Sequence, residues 1–212
     1  MSGYPTTGLI GILRGVTPDA AAAACAAVAD AGLRVIEIPL NSPDPFTSIR
    51  VAREALPPGV LVGAGTVLRP ADVERVYQAG GRIVVSPNHR RDVVAATVRL
   101  GLGSYPGVAT PSEALDALDA GATALKVFPA PQVGTAGLRA WRSILPPGTG
   151  LLPVGGVAPT DFAGWLAAGA TGFGLGSELY RPEYPLTEIA DRARRAVEAW
   201  TTACNDTGRT VG

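Results

Sequence analysis

One residue in this chain is chemically alone. Lysine and arginine together number 18, and Lys126 is the single lysine among them. It lies in the run Ala124-Leu125-Lys126-Val127-Phe128, with apolar side chains on both sides. Most lone lysines are solvated surface groups, but this run is too short and too rich in β-formers to be an exposed helix. An ammonium buried there costs several kcal/mol unless it is paired or neutralised. Burial lowers a lysine pKa, and a nearby arginine lowers it further. The outcome is a fraction of free amine at neutral pH, the form that attacks a ketone.

Few other charged residues fall inside apolar runs. Glu37 sits between Ile36 and Ile38. Strand alternation puts Glu37 and Pro39 on one face and the two isoleucines on the other. A carboxylate there is either an ion-pair partner or an acid–base group, since a partly dry setting raises its pKa toward neutrality. Arg14 ends the first strand-like run, as a rim salt bridge or as a fork for a substrate carboxylate. Thr66, in Gly63-Ala64-Gly65-Thr66-Val67, adds a hydroxyl at the end of the third run. Gly155-Gly156 and Gly176-Ser177 follow the last two runs. Tight turns alone would account for them, and so would a phosphate cradle, because glycine lets backbone N–H groups approach phosphate oxygens closely.

Positioning these residues takes a repeating framework. Strand-like runs at 9–15, 35–40, 61–67, 83–87, 103–108, 124–130, 151–157 and 172–176 alternate with Ala-rich segments of helical length. Helix starts are marked at Thr17-Pro18-Asp19, Arg69-Pro70, Thr110-Pro111-Ser112-Glu113 and Pro159-Thr160-Asp161, where proline suits the first helical position. Helix ends are marked by Gly32, Gly80, Gly101, Gly121 and Gly169. Eight strand–helix units predict an α/β fold, a single (β/α)8 TIM barrel over residues 1–212, with a core at about 8–201 and a flexible tail at 202–212. In such a barrel the reacting groups sit at the carboxyl ends of the strands. An open doubly wound sheet is the rival, and no GxGxxG follows the first run to support its dinucleotide-binding form.

The composition narrows the function classes. Formal net charge is zero, so no basic footprint for nucleic acid is present. No apolar stretch approaches the ~18 residues of a spanning helix, no secretory signal opens the chain, and a cytoplasmic location is expected. Cys25 and Cys204 have neither metal nor disulfide-framework spacing, and Cys25 reads as a small apolar filler. The single histidine, His89, cannot anchor a His-rich metal site and reads as a loop residue.

These residues in this order resemble the 2-keto-3-deoxy-6-phospho-sugar-acid aldolase family over roughly residues 8 to 201. The motifs are ILRGVTPD (12–19), VIEIPLNSP (35–43), GAGTVLRP (63–70), VVSPN (84–88), ALKVFPA (124–130), PVGGV (153–157) and GLGSELY (174–180). EIPLNS (37–42) and PVGG (153–156) look like the branch acting on the galactonate epimer rather than the gluconate one. The resemblance implies a class I aldolase, with Lys126 forming the Schiff base and Glu37 moving protons. It implies Arg14 and Thr66 on the pyruvate part, Gly155, Gly156, Gly176 and Ser177 on the phosphate, and Val154 in the stereochemical preference. It also implies a homotrimer acting on a small phosphorylated keto-deoxy sugar acid with no metal or organic cofactor. The rival functions are the same chemistry on the gluconate epimer or on 4-hydroxy-2-oxoglutarate, a phosphosugar isomerase or epimerase, and a non-catalytic sugar-phosphate binding protein.

Overall fold

A computed structural model describes residues 3–208. Its strands are β1 (Gly8–Ile12), β2 (Val35–Pro39), β3 (Leu61–Gly65), β4 (Ile83–Val85), β5 (Gly103–Tyr105), β6 (Gly107–Val108), β7 (Leu125–Val127), β8 (Leu151–Pro153) and β9 (Gly172–Leu175). Its helices are α1 (Pro18–Asp30), α2 (Pro45–Ala55), α3 (Pro70–Gln78), α4 (Arg91–Arg99), α5 (Pro111–Asp119), α6 (Ala130–Arg142), α7 (Phe162–Ala167) and α8 (Leu186–Asp206). Every strand pairing is parallel: six strands run in the order β5-β4-β3-β2-β1-β9, and three in the order β6-β7-β8. An isolated parallel bridge links Val154, just past β8, to Gly174 in β9. The fold is thus α/β with a curled parallel sheet and helices between its strands.

Proline and glycine punctuate much as expected. Pro18, Pro70 and Pro111 open α1, α3 and α5, and Thr110 with Glu113 forms a reciprocal capping box on α5. The five glycines expected at helix ends all take positive φ. Three expectations are corrected. Pro159–Asp161 forms a 3-10 turn, and α7 starts only at Phe162. The run at 103–108 is broken at Pro106, which has no N–H for the ladder, although its carbonyl still accepts from Lys126 N at 2.9 Å. The segment from Thr202 is not a tail through its first five residues: α8 continues to Asp206, and Ala203 and Cys204 are buried. The last four positions of the expected tail, 209–212, lie outside the described residues.

Alternation along the strands separates two apolar regions. Ile36, Ile38, Val62, Leu125, Val127 and Phe173 face outward into the main core with the helices. Ile10, Val35, Ile83, Val85, Tyr105, Ala124 and Leu152 fill the amino half of the inner face, with Tyr4 packed against them. Hydrogen bonds from Tyr105 Oη to Pro5 O (2.8 Å) and from Thr171 Oγ1 to Thr6 O (2.7 Å) fasten the N-terminal segment across that end.

In the outer core Phe173 stacks on Phe162 at 4.2 Å between centroids and meets Trp200 of α8 edge-on at 6.0 Å. Phe173→Ala therefore removes a fully buried ring that ties β9 to α7 and α8. It is expected to lower unfolding stability by about 3–5 kcal/mol in urea titrations. A loss under about 1 kcal/mol would show that this contact does not hold the helices to the sheet.

Candidate active site

Two steps along the inner face separate the plugged amino end from the chemistry. Val35 and Ala124 belong to the inner apolar layer, and two residues further toward the carboxyl ends stand Glu37 and Lys126. Above them a cavity of about 430 Å³ opens at the carboxyl ends of the strands. Arg14, Thr66, Lys126, Val154, Gly155, Gly156, Gly176 and Ser177 all line it. Glu37 lies beneath the lining, only 2% exposed. β1 ends at Ile12, so Arg14 stands in the turn beyond the strand rather than at its last residue.

Lys126 is 6% exposed, and its Nζ lies 4.9 Å from the centre of the Phe128 ring. Among the described residues no carboxylate oxygen lies within 4.0 Å of it. Burial pushes its pKa down, the Glu37 charge pushes back up, and the Arg14 charge lowers it further. Glu37 shows the mirror pattern. Burial raises its pKa, and the cations of Lys126 and Arg14 oppose that rise. Desolvation is the leading cause for both groups, lowering the lysine pKa and raising that of the glutamate.

Room for the Glu37 carboxyl comes from the neighbouring strand. Register pairs Glu37 with Gly63, and the carboxyl leans over Gly65 two residues on. A Cβ added to Gly65 would land on Glu37 Oε2. Gly65 is thus a positional requirement of the glutamate, and sequence reading had no local signal for it.

Arg14 and Thr66 meet at the cavity edge. The Arg14 guanidinium donates to Asn41 Oδ1, and to Thr66 Oγ1 at 3.5 Å. Thr66 has φ 56°, a left-handed conformation that strains a β-branched residue. Gly155 and Gly156, also on the lining, have φ of 86° and 72°, so the turn after β8 uses conformations that glycine adopts without strain. Val154 is buried, and its Cγ2 would lie 2.7 Å from a Cβ on Gly174, so the valine fills the space that the glycine leaves. Sequence reading also missed the mouth, where Glu178, Tyr180 and Arg181 from the segment after β9 join the lining. Those residues follow the Gly-Ser turn directly, which was the available signal.

His89 is not among the cavity's lining residues. Its Nε2 lies 2.6 Å from Asp116 Oδ2, and Asp116 also accepts from Arg91 at 2.7 Å. Cys25 is fully buried in α1, and burial pushes its thiol up to about 12. Among the described residues no group of His, Cys, Asp and Glu could hold a metal ion, and no helix is long and apolar enough to cross a membrane.

A buried amine and a buried carboxyl under one cavity, at the carboxyl ends of a parallel sheet, suit an enzyme that works through a Schiff base on a carbonyl compound. Comparison with known proteins agrees. Residues 6–191 match the family described as KDPG and KHG aldolase. A protein of Rhizobium meliloti (strain 1021) named probable 2-dehydro-3-deoxy-6-phosphogalactonate aldolase is 46% identical over 192 residues, 91% of each chain. The 2-dehydro-3-deoxy-6-phosphogalactonate aldolase of Escherichia coli (strain K12) is 43% identical over 195 residues, 92% of this chain and 95% of the relative. A solved structure described as native KDPGal superposes with a TM-score of 0.93 at 41% identity, covering 97% of this chain and all of that one. The chain belongs to the KDPG and KHG aldolase family.

Two outcomes follow from the geometry. Gly65→Ala displaces the Glu37 carboxyl, so a variant with unchanged circular dichroism is expected to lose about 10²–10⁴-fold in kcat; full activity would place the carboxyl outside the reaction. The second concerns pH. Folding raises the Glu37 pKa above its ordinary 4.5, so the folded chain holds that proton more tightly than the unfolded chain does. The stability gained is complete below that ordinary value and is lost as pH rises through the raised one. In urea midpoints taken from about pH 4 to pH 8, Glu37→Gln should gain on the parent as pH rises. Parallel curves would contradict a raised pKa.

Proposed function

We propose that the chain cleaves 2-dehydro-3-deoxy-6-phosphogalactonate to pyruvate and D-glyceraldehyde 3-phosphate through a Schiff base on Lys126. The observation that carries this reading is the Lys126 amine: 6% exposed, held toward its neutral form by desolvation, and open to a cavity of about 430 Å³. The relatives' names, both specifying the galactonate compound, support the choice of epimer.

The free amine adds to the C2 ketone, and loss of water gives an iminium. Glu37, through a water, accepts the proton of the C4 hydroxyl. The C3–C4 bond breaks, its electron pair moves toward the iminium to give an enamine, and the aldehyde leaves as D-glyceraldehyde 3-phosphate. The enamine takes a proton at C3, and water then releases pyruvate and restores the amine. Arg14 and Thr66 hold the carboxylate end. The N–H groups at Gly155, Gly156, Gly176 and Ser177 receive the phosphate, which orients the chain without touching the reacting carbons. Val154 faces the cavity between these two ends and sets the preference at C4.

The same reading treats the two sheets as one single-domain (β/α)8 barrel. β5 and β6 count as halves of a strand interrupted at Pro106, and the Val154–Gly174 bridge supports joining β8 to β9. A homotrimer in the cytoplasm completes the proposal, on the strength of the family resemblance.

Borohydride added with pyruvate is expected to leave a stable adduct on Lys126, mapped by peptide mass. Lys126→Met should lose both the adduct and turnover. Cleavage assays on both C4 epimers and on 4-hydroxy-2-oxoglutarate should favour the galactonate epimer. An isomerase or a binding protein leaves no adduct, and undiminished turnover in Lys126→Met ends the Schiff-base reading.

A further inference from the structure

Arg14 is a long side chain at an open cavity edge, and something must keep it in place. Asn41 does so. It lies two residues past β2, in a turn closed by a hydrogen bond from Ser42 N to Pro39 O (2.9 Å) and anchored to β3 by one from Leu40 N to Gly65 O (2.8 Å). From that turn Asn41 Oδ1 accepts from the Arg14 guanidinium, while Ser42 Oγ accepts from Gly15 N at 2.9 Å. The turn after β2 therefore grips the turn after β1 twice, once by its backbone and once by the arginine head. Among the described residues, Thr66 Oγ1 is the only other side-chain hydrogen-bond acceptor of that head, and at 3.5 Å it is the weaker one.

The acceptor's chemistry matters as much as its place. A carboxylate in position 41 would hold the guanidinium at least as firmly, but as an ion pair that offsets its charge. A side-chain amide fixes the fork and leaves the full positive charge to attract an anion. We propose that Asn41 is a positioning residue and a determinant of specificity for keto acids: it pre-places Arg14 for the substrate carboxylate without neutralising it. This rests on the reading of Arg14 given under the proposed function. Preorganising such a group reduces the ordering that the substrate must otherwise impose.

The test is steady-state kinetics in the condensation direction, varying pyruvate and D-glyceraldehyde 3-phosphate separately, on purified Asn41→Ala, Asn41→Asp, Arg14→Met and the Asn41→Ala/Arg14→Met double variant. Asn41→Ala should raise KM for pyruvate about tenfold, with kcat and the KM of the aldehyde phosphate within about twofold of the parent. Asn41→Asp keeps an acceptor in place yet should raise KM for pyruvate at least as much, which a purely structural role does not predict. In the Arg14→Met background, Asn41→Ala should have no further effect. The proposal is overturned if Asn41→Asp matches the parent, if both KM values rise together, or if the two substitutions multiply in the double variant. Borohydride trapping of pyruvate on the parent separates the two readings. An absent adduct sinks the proposed function itself, whereas a normal adduct with unchanged pyruvate KM in Asn41→Ala sinks only the role of Asn41.

Discussion

Desolvation of one amine is the constraint around which the molecule is organised. Lys126 and Glu37 share a dry region in which each pushes the other toward its charged form, while burial pushes both toward neutrality. The mutual attraction favours the ammonium, a form that cannot attack a carbonyl. Burial leads for both, and Arg14 reinforces it at the lysine, since a second cation nearby disfavours the lysine's proton. Arg14 can exert that effect because it stands in the turn beyond β1, on the cavity lining it shares with Lys126. One guanidinium thus serves both the proposed reception of the substrate carboxylate and the lowering of the amine's pKa.

Residue size along the inner face decides where matter ends and the cavity begins. Toward the amino ends, Ile10, Val35, Ile83, Tyr105 and Leu152 fill the space, and the N-terminal segment seals it. Toward the carboxyl ends the same face carries Gly65 and Gly174, whose missing side chains are replaced by the Glu37 carboxyl and by Val154. The packed half is a rigid floor, and the hollow half inherits its precision because both are parts of the same strands. Stability and function occupy opposite ends of one set of strands, which explains why strand register matters to the chemistry.

Much of this was legible in the linear chain, for identifiable reasons. Lys126 stood out because its neighbours are apolar and every other side-chain cation that is always charged is arginine. Glu37 stands out as a carboxylate inside an apolar run, and period-two alternation gives only the face it shares with Pro39. The glycine turns followed from their places after the last two strand runs. The closure of a full barrel went beyond what the pairing displays, because Pro106 interrupts one run and a single bridge joins β8 to β9. The last turns of α8 were readable and were misread: Ile189, Ala193, Ala196, Trp200, Ala203 and Cys204 recur at helical spacing, but the polar residues among Thr201–Thr207 obscured that stripe. Gly65 and Asn41 were not readable at all. Their significance depends on which strand lies beside β2 and which turn lies beside β1, and that is non-local information.

Thr66 shows how such a site carries strain without losing order. A left-handed β-branched residue costs about 1–2 kcal/mol relative to ordinary backbone, enough to favour another conformation in a free loop. Here the residues on either side are fastened to adjacent segments: Gly65 O accepts from Leu40 N at 2.8 Å, and Val67 N donates to Val85 O at 3.2 Å. Relaxing Thr66 would disturb both of those bonds, each part of the sheet's upper edge. The strained conformation persists because its neighbours over-determine it. It turns a short hydroxyl toward Arg14, at the border of the cavity, where a relaxed extended residue would carry the side chain along the strand's own alternation instead. Glycine would relieve the strain at this position but supply no hydroxyl, so the choice of threonine favours the site over local stability.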